Sequence, residues 1–195
     1  MDAISSYSNG IWEEGVALIR LVLSDLERYK DSYKARGSKF SKKAYLESFV
    51  FKPGFQAVLL YRVSHFLYKV GMNYAAWAVS RINQILTSAE IEFNAEFGPG
   101  LFIAHPSGIV VGRGSKVGKN CTMFQQVTLG VRSWEDMRYP AIGDGAVLFS
   151  GSKVLGGIRI GNNVTVGANA VVFDCAGNDM LCVGNQTTKH KRMKT

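Results

Sequence analysis

Across residues 91 to 175 an aliphatic residue returns at every sixth position. From Ile91 the chain reads IEFNAE, FGPGLF and IAHPSG, slips by two residues, and continues as VGRGSK, VGKNCT and MFQQVT. It halts at Leu129-Gly130 for an insert from Val131 to Ala141, then resumes as IGDGAV, LFSGSK, VLGGIR, IGNNVT and VGANAV. The leading positions are Ile91, Phe97, Ile103, Val111, Val117, Met123, Leu129, Ile142, Leu148, Val154, Ile160, Val166 and Val172. The fifth place is small or β-branched at Ala95, Ser107, Ser115, Cys121, Val127, Ala146, Ser152, Val164 and Ala170. A fixed short period asks for a structure in which each repeat is one side of a coil. The leading side chain then points inward and stacks on its counterpart one coil away, about 4.8 Å along the axis. Three flat sides close one triangular coil, which predicts about four coils of a parallel β-helix. A β-sandwich would alternate with period two in strands of varied length, whereas this phase holds over thirteen repeats with two interruptions.

Upstream the period changes to a helical one. Ile11, Val16, Ile19, Val22, Leu23, Leu26, Tyr29 and Tyr33 predict a helix running to about Ala35, with residues 1 to 10 frayed and Gly37-Ser38 as the stop. Residues 39 to 51 form a short basic, partly helical segment. Pro53-Gly54 opens a helix from Phe55 to Val70 with Val58, Leu59, Val63, Phe66 and Leu67 on its apolar face. A further helix, Asn73 to Leu86, carries Ala75, Trp77, Ala78, Ile82 and Ile85. The expected fold class is therefore α+β, with an α-helical domain (1–88), a β-helix domain bearing one protruding loop (89–183), and a basic tail (184–195).

Composition narrows the function classes. The longest apolar runs fall short of the ~20 residues of a membrane span, and MDAISSYSNG is no signal peptide. Three cysteines with no CxxC, beside three histidines, point to a reducing cytoplasmic compartment and away from a metal site. The net charge of +8 comes mainly from residues 28 to 43 and 189 to 194, without the aromatic-plus-basic stripe of a nucleic-acid binder. Such clusters suit a phosphorylated cofactor or peripheral contact with an anionic membrane surface, and otherwise read as a solvated basic face.

Chemistry is expected where the regularity breaks. The slip carries Ala104-His105-Pro106-Ser107-Gly108, placing a histidine on the outer wall, where an imidazole is available as a general base. An idle turn histidine is the plain alternative. The second break, VRSWEDMRYPA, is a loop of 11 residues rich in charge and aromatics, long enough to reach a neighbouring coil's histidine in a trimer. His65, within a helix, reads as a packed helix residue.

The run from Phe55 to Gly184 resembles serine acetyltransferase and its relatives among the hexapeptide-repeat acyltransferases. The matching pieces are PGFQAVLLYRVSHFLYK, SRINQILTSAEI, GLFIAHPSGIVVG, QQVTLG, RYPAIGDGAVL and KVLGGIRIGNNVTVGANAVV. The resemblance implies a left-handed β-helix, a homotrimer or hexamer with active sites between subunits, and direct transfer from acetyl-CoA without a metal or an acyl-enzyme. It places the catalytic base at His105 and its orienting carboxylate at Glu90, where the family has aspartate. Cofactor contacts fall at Gly130, Ser150, Gly151 and Ala168, with Lys189 of the tail within reach of CoA phosphates.

Three departures bear on the acceptor. The family's ammonium-binding aspartate before the histidine is Ala104, a second such aspartate in the helical region has no counterpart, and the loop histidine is Tyr139 beside a retained Arg138. An ammonium buried without those anions costs several kcal/mol. Tyr139, Arg138 and Trp134 suit a sugar instead. The expectation is thus an O-acetyltransferase acting on a saccharide in surface-polysaccharide synthesis. Serine O-acetylation, amino-sugar N-acetylation and a non-catalytic scaffold stand as alternatives.

Overall fold

A computed structural model describes residues 2–35, 37 and 50–184. The basic segment before position 50 lies almost wholly outside these residues, and the basic tail with Lys189 lies outside them entirely. Three helices, α1 (Asp2–Ala35), α2 (Pro53–Lys69) and α3 (Asn73–Thr87), precede fourteen short strands. Helix α1 begins at Asp2, not near Ile11; residues 2 to 9 contain neither Gly nor Pro to break it.

The strands form three parallel walls. The first holds β1 (Glu90–Ile91), β4 (Val110–Val111), β7 (Thr128–Gly130), β10 (Lys153–Leu155) and β13 (Val171–Val172). The second holds β2 (Glu96–Phe97), β5 (Lys116–Val117), β8 (Ala141–Ile142) and β11 (Arg159–Ile160). The third holds β3 (Phe102–Ile103), β6 (Thr122–Met123), β9 (Val147–Leu148), β12 (Thr165–Val166) and β14 (Leu181–Cys182). Every third strand pairs in register, as in Val110↔Thr128 and Lys153↔Thr128. The result is a left-handed parallel β-helix. All thirteen leading residues are buried inside it, from Ile91 through Val172.

The corners explain the sequence slip. Ala89, Ile109, Val127, Ser152 and Ala170 are fully buried along one corner, and each carbonyl from Ile109 to Ala170 accepts an amide from the preceding coil. Ile109, not Ser107, fills that column in the second coil, and the two extra residues swell outward as an exposed turn. At another corner, side chains replace backbone partners. Asp144 Oδ1 accepts the Lys119 amide at 2.7 Å, Asn162 Oδ1 the Asp144 amide at 2.9 Å, and Asn178 Oδ1 the Asn162 amide at 2.8 Å. Asn120 and Asn163 hold positive φ there (56° and 55°), which asparagine tolerates.

The first coil has no coil before it, so its edge would leave backbone groups unpaired. The helices supply the partners. Tyr29 Oη donates to the Ile103 carbonyl at 2.8 Å and accepts the Ile103 amide at 3.2 Å. Tyr61 Oη donates to Ala95 O (2.6 Å), His65 Nδ1 to Phe93 O (2.8 Å) and Ser80 Oγ to Ile91 O (3.1 Å). Arg62 reaches the carbonyls of Phe97 and Gly98, both at 2.7 Å. It also pairs in bidentate fashion with Asp25 at 2.8 and 3.1 Å, while Asp25 accepts the Leu101 amide at 2.7 Å. Both partners are buried. Burial pushes the Asp25 carboxyl up from its usual range, and the Arg62 and Leu101 donors oppose that.

This duty turns the helices away from the expected faces. Helix α3 buries Ala76, Asn83 and Thr87, and leaves Trp77, Ile82 and Ile85 exposed. Asn83 Nδ2 donates to the Ala57 carbonyl at 3.0 Å, which holds the polar side inward. Helix α2 buries Val58 as expected but also Tyr61 and Arg62, with Val63, Phe66 and Leu67 only half-buried. On α1, Leu26 and Tyr29 meet the coil, while Ile19 and Leu23 face solvent. Among the described residues no helix is long and apolar enough to cross a membrane.

Candidate functional site

His105 sits on the outward turn between β3 and β4, exposed, with Pro106 buried beneath it and Gly108 at φ 72°. The turn is anchored by the Gly108 amide to Ser88 O (2.9 Å) and by the Gln126 amide to Ser107 O (3.0 Å). The register Ile103↔Met123 and Met123↔Leu148 stacks His105, Gln125, Ser150 and Ala168 along one corner of the prism. The amides of Ser150 and Ala168 donate to no protein acceptor among the described residues. They are therefore available to carbonyl groups of a ligand lying along this corner. The Gly151 amide is committed to Gln125 O at 2.9 Å. Gly130 lies across the first wall, at the opposite corner, where its carbonyl accepts the Gly156 amide at 2.9 Å. The four expected cofactor contacts thus divide: Ser150 and Ala168 share the histidine's corner, two and three coils along from it, and their amides have no protein acceptor among the described residues.

Glu90 is half-buried at the free end of the first wall, one coil before Val110. Its Oε2 accepts from Gln84 Nε2 at 3.0 Å, and no hydrogen bond joins it to His105 among the described residues. Ala104, before the histidine, is half-buried. Behind Ala104 the third wall presents a stacked pair, Phe124 and Phe149, with ring centroids 5.1 Å apart.

The loop residues do not converge. The Tyr139 ring lies on Gly112 and Gly114, and a methyl group on Gly112 would collide with it. Arg138 donates twice to Asp136, at 2.7 and 2.8 Å, and these bonds hold the Asp136 carboxyl down to about 2. Trp134 is 89% exposed. His65, expected to be a packed helix residue, is half-buried, and burial lowers its pKa from 6.5. Sequence reading missed Gln84, whose only signal is its place six residues before Glu90 at the end of a helix.

Comparison with known proteins follows the geometry. Residues 139–174 match the family described as bacterial transferase hexapeptide (six repeats). A serine acetyltransferase of Helicobacter pylori is 38% identical over 135 residues, covering 69% of this chain and 79% of that protein. One from Synechococcus elongatus is 39% identical over 140 residues, covering 71% of this chain and 57% of its own length. The chain therefore spans between about half and four fifths of these curated relatives. The crystal structure of Neisseria gonorrhoeae serine acetyltransferase in complex with serine superposes with a TM-score of 0.78 at 26% identity, covering 93% of this chain and 72% of that one.

These likenesses overturn the saccharide acceptor and the surface-polysaccharide role expected from the sequence. The lost carboxylates argue against serine only if its ammonium is buried against them. In the single chain His105 itself is exposed, so burial of that ammonium does not follow from the lost carboxylates alone. With 38% identity over four fifths of the Helicobacter enzyme, the chain belongs to the serine acetyltransferase family of hexapeptide-repeat acyltransferases.

Proposed function

We propose that the chain transfers the acetyl group of acetyl-CoA to the hydroxyl of L-serine, the first step from serine toward cysteine. The observation that carries this reading is His105 on an exposed turn in line with the free Ser150 and Ala168 amides, in a chain 38% identical to a serine acetyltransferase. An imidazole nitrogen takes the hydroxyl proton as the oxygen attacks the thioester carbonyl. The tetrahedral oxyanion and the pantetheine amides are met by backbone N–H groups of the corner. Collapse expels the CoA thiolate, which takes the proton back from the imidazolium. Glu90 holds the second ring nitrogen and stabilises that imidazolium. Arg138, Tyr139 and Trp134 shape the loop above the acceptor, and Lys189 contacts the CoA phosphates.

The assembly we propose is a cyclic trimer in the cytoplasm. The second wall exposes charges at Glu96, Lys116 and Arg159, whereas the third presents Phe102, Thr122, Val147, Thr165 and Leu181, and the first presents Val110, Thr128 and Val171 beside Glu90 and Lys153. Walls poor in charge are the ones that pack against neighbours.

The test is CoA release from acetyl-CoA by the purified full chain with L-serine, with the O-acetylated product identified by mass. Equimolar CoA and O-acetylserine support the reading. Acetyl-CoA hydrolysis without acetylserine refutes it. Restoring a carboxylate with Ala104→Asp lowers the KM for serine about 10-fold if the ammonium lies beside this position, as one charge-assisted hydrogen bond predicts.

A further inference from the structure

One side chain touches the proposed machinery from behind. Gln84 lies in the last turn of α3, and Arg81 is three residues before it on the same face. Gln84 Nε2 donates to Glu90 Oε2 at 3.0 Å, and Gln84 Oε1 accepts from Arg81 Nη1 at 2.6 Å. A guanidinium offers only donors and an ionised carboxylate only acceptors, so the amide between them has a single workable orientation. Arg81 lies in turn over the Trp77 ring, 5.7 Å from its centroid. Ser88, left-handed at φ 58° and bonded through its amide to Gln84 O at 2.9 Å, folds the helix end back onto β1. The chain of contacts Trp77–Arg81–Gln84–Glu90 therefore ties one carboxylate oxygen, and Oε1 keeps no protein donor among the described residues.

We propose that Gln84 is a positioning residue, clamping Glu90 so that its free Oε1 is held for the His105 imidazole. This rests on the roles given to Glu90 and His105 above. The physical need is specific to this chain. Glutamate carries one more rotatable bond than the aspartate the resemblance places there, and an unclamped carboxylate loses more side-chain entropy when it orients a ring. Gln84 fixes that extra torsion in the resting protein.

The test compares the full chain with Gln84→Met, which keeps length and helix propensity but donates nothing, with Glu90→Gln, and with the double variant. A positioning role predicts that Gln84→Met lowers kcat about 10-fold with both KM values within about twofold, as loss of one hydrogen bond to a charged group implies. It also predicts that the double variant is no slower than Glu90→Gln alone, because Gln84 acts only through Glu90. Losses that multiply, or a rise in KM at unchanged kcat, overturn it.

A second readout does not depend on turnover: the imidazole ¹⁵N spectrum of His105, assigned by its disappearance in His105→Asn. One dominant tautomer in the wild type and a mixture in both Gln84→Met and Glu90→Gln support the clamp. The same spectrum in all three overturns it. If the wild type ignores serine yet shows the tautomer change, the proposed reaction falls and the clamp stands.

Discussion

The coil and the helices that close it satisfy buried backbone by different means. Within the coil each turn is the partner of the next, so the same amide-to-carbonyl step recurs from Glu90 to Lys153 along one corner. At the first coil that partner is missing, and six helix side chains replace it: Asp25, Tyr29, Tyr61, Arg62, His65 and Ser80. The coil is thus stabilised by repetition and apolar stacking, the cap by specific polar contacts that occur once. A repeat tolerates a bulge such as the His105 turn because Ile109 resumes the column two residues later. A cap built from single contacts has no such redundancy.

The largest effect expected from this contrast lies at Arg62. Arg62→Ala leaves Asp25 buried and unpaired and uncovers the Phe97 and Gly98 carbonyls, which costs about 3–5 kcal/mol in urea unfolding. Replacing both partners, Asp25→Leu with Arg62→Met, recovers only the part due to the unpaired Asp25 charge, because the Phe97 and Gly98 carbonyls and the Leu101 amide stay without partners. An unfolding midpoint for Arg62→Ala equal to the wild type contradicts the role given to the cap. In the coil, Leu129→Ala removes a fully buried side chain and costs about 2–5 kcal/mol, mainly by leaving a cavity. Here no polar rescue exists, and only a second apolar substitution that fills the space restores stability.

A smaller change, Tyr29→Phe, keeps the ring contact with Phe55 but strips both groups of Ile103 of their partner, for about 1–3 kcal/mol. The smallest is a pH effect at His65. Burial holds its folded pKa below the unfolded 6.5, so the unfolded state binds more protons in the interval between them. Its contribution is complete above about pH 6.5 and is lost as pH falls from there toward the folded value. His65→Gln flattens that decline in a stability-versus-pH series; an unchanged slope removes His65 from the list of edge partners.

The same contrast decides what the chain disclosed on reading. Thirteen leading positions were legible because each coil imposes the same inward step, and all thirteen are buried. The helix faces were legible only in part, with Leu26, Tyr29 and Val58 buried as expected, because apolar periodicity assumes that a helix packs through its apolar stripe. Helix α3 faces a strand edge and helix α2, both offering carbonyls, so Ser80 turns inward to Ile91, Asn83 to Ala57, and Ile85 turns out. The outward turn at His105 was visible as a slip in phase. Gln84 was not visible, since a glutamine at a helix end carries no pattern until the left-handed Ser88 brings it back to Glu90. Tyr139 was read as an acceptor contact; in the single chain its ring lies over Gly112 and Gly114, and it has room there only because Gly112 carries no side chain.

The account turns on His105 as the base that activates the serine hydroxyl. The measurement that tests it most directly is kcat for acetyl transfer to L-serine in His105→Asn beside the wild type, with acetyl-CoA binding followed in both. A fall of about 10²-fold or more in kcat with acetyl-CoA affinity retained is the predicted result. Transfer to serine at an undiminished rate in His105→Asn would contradict it.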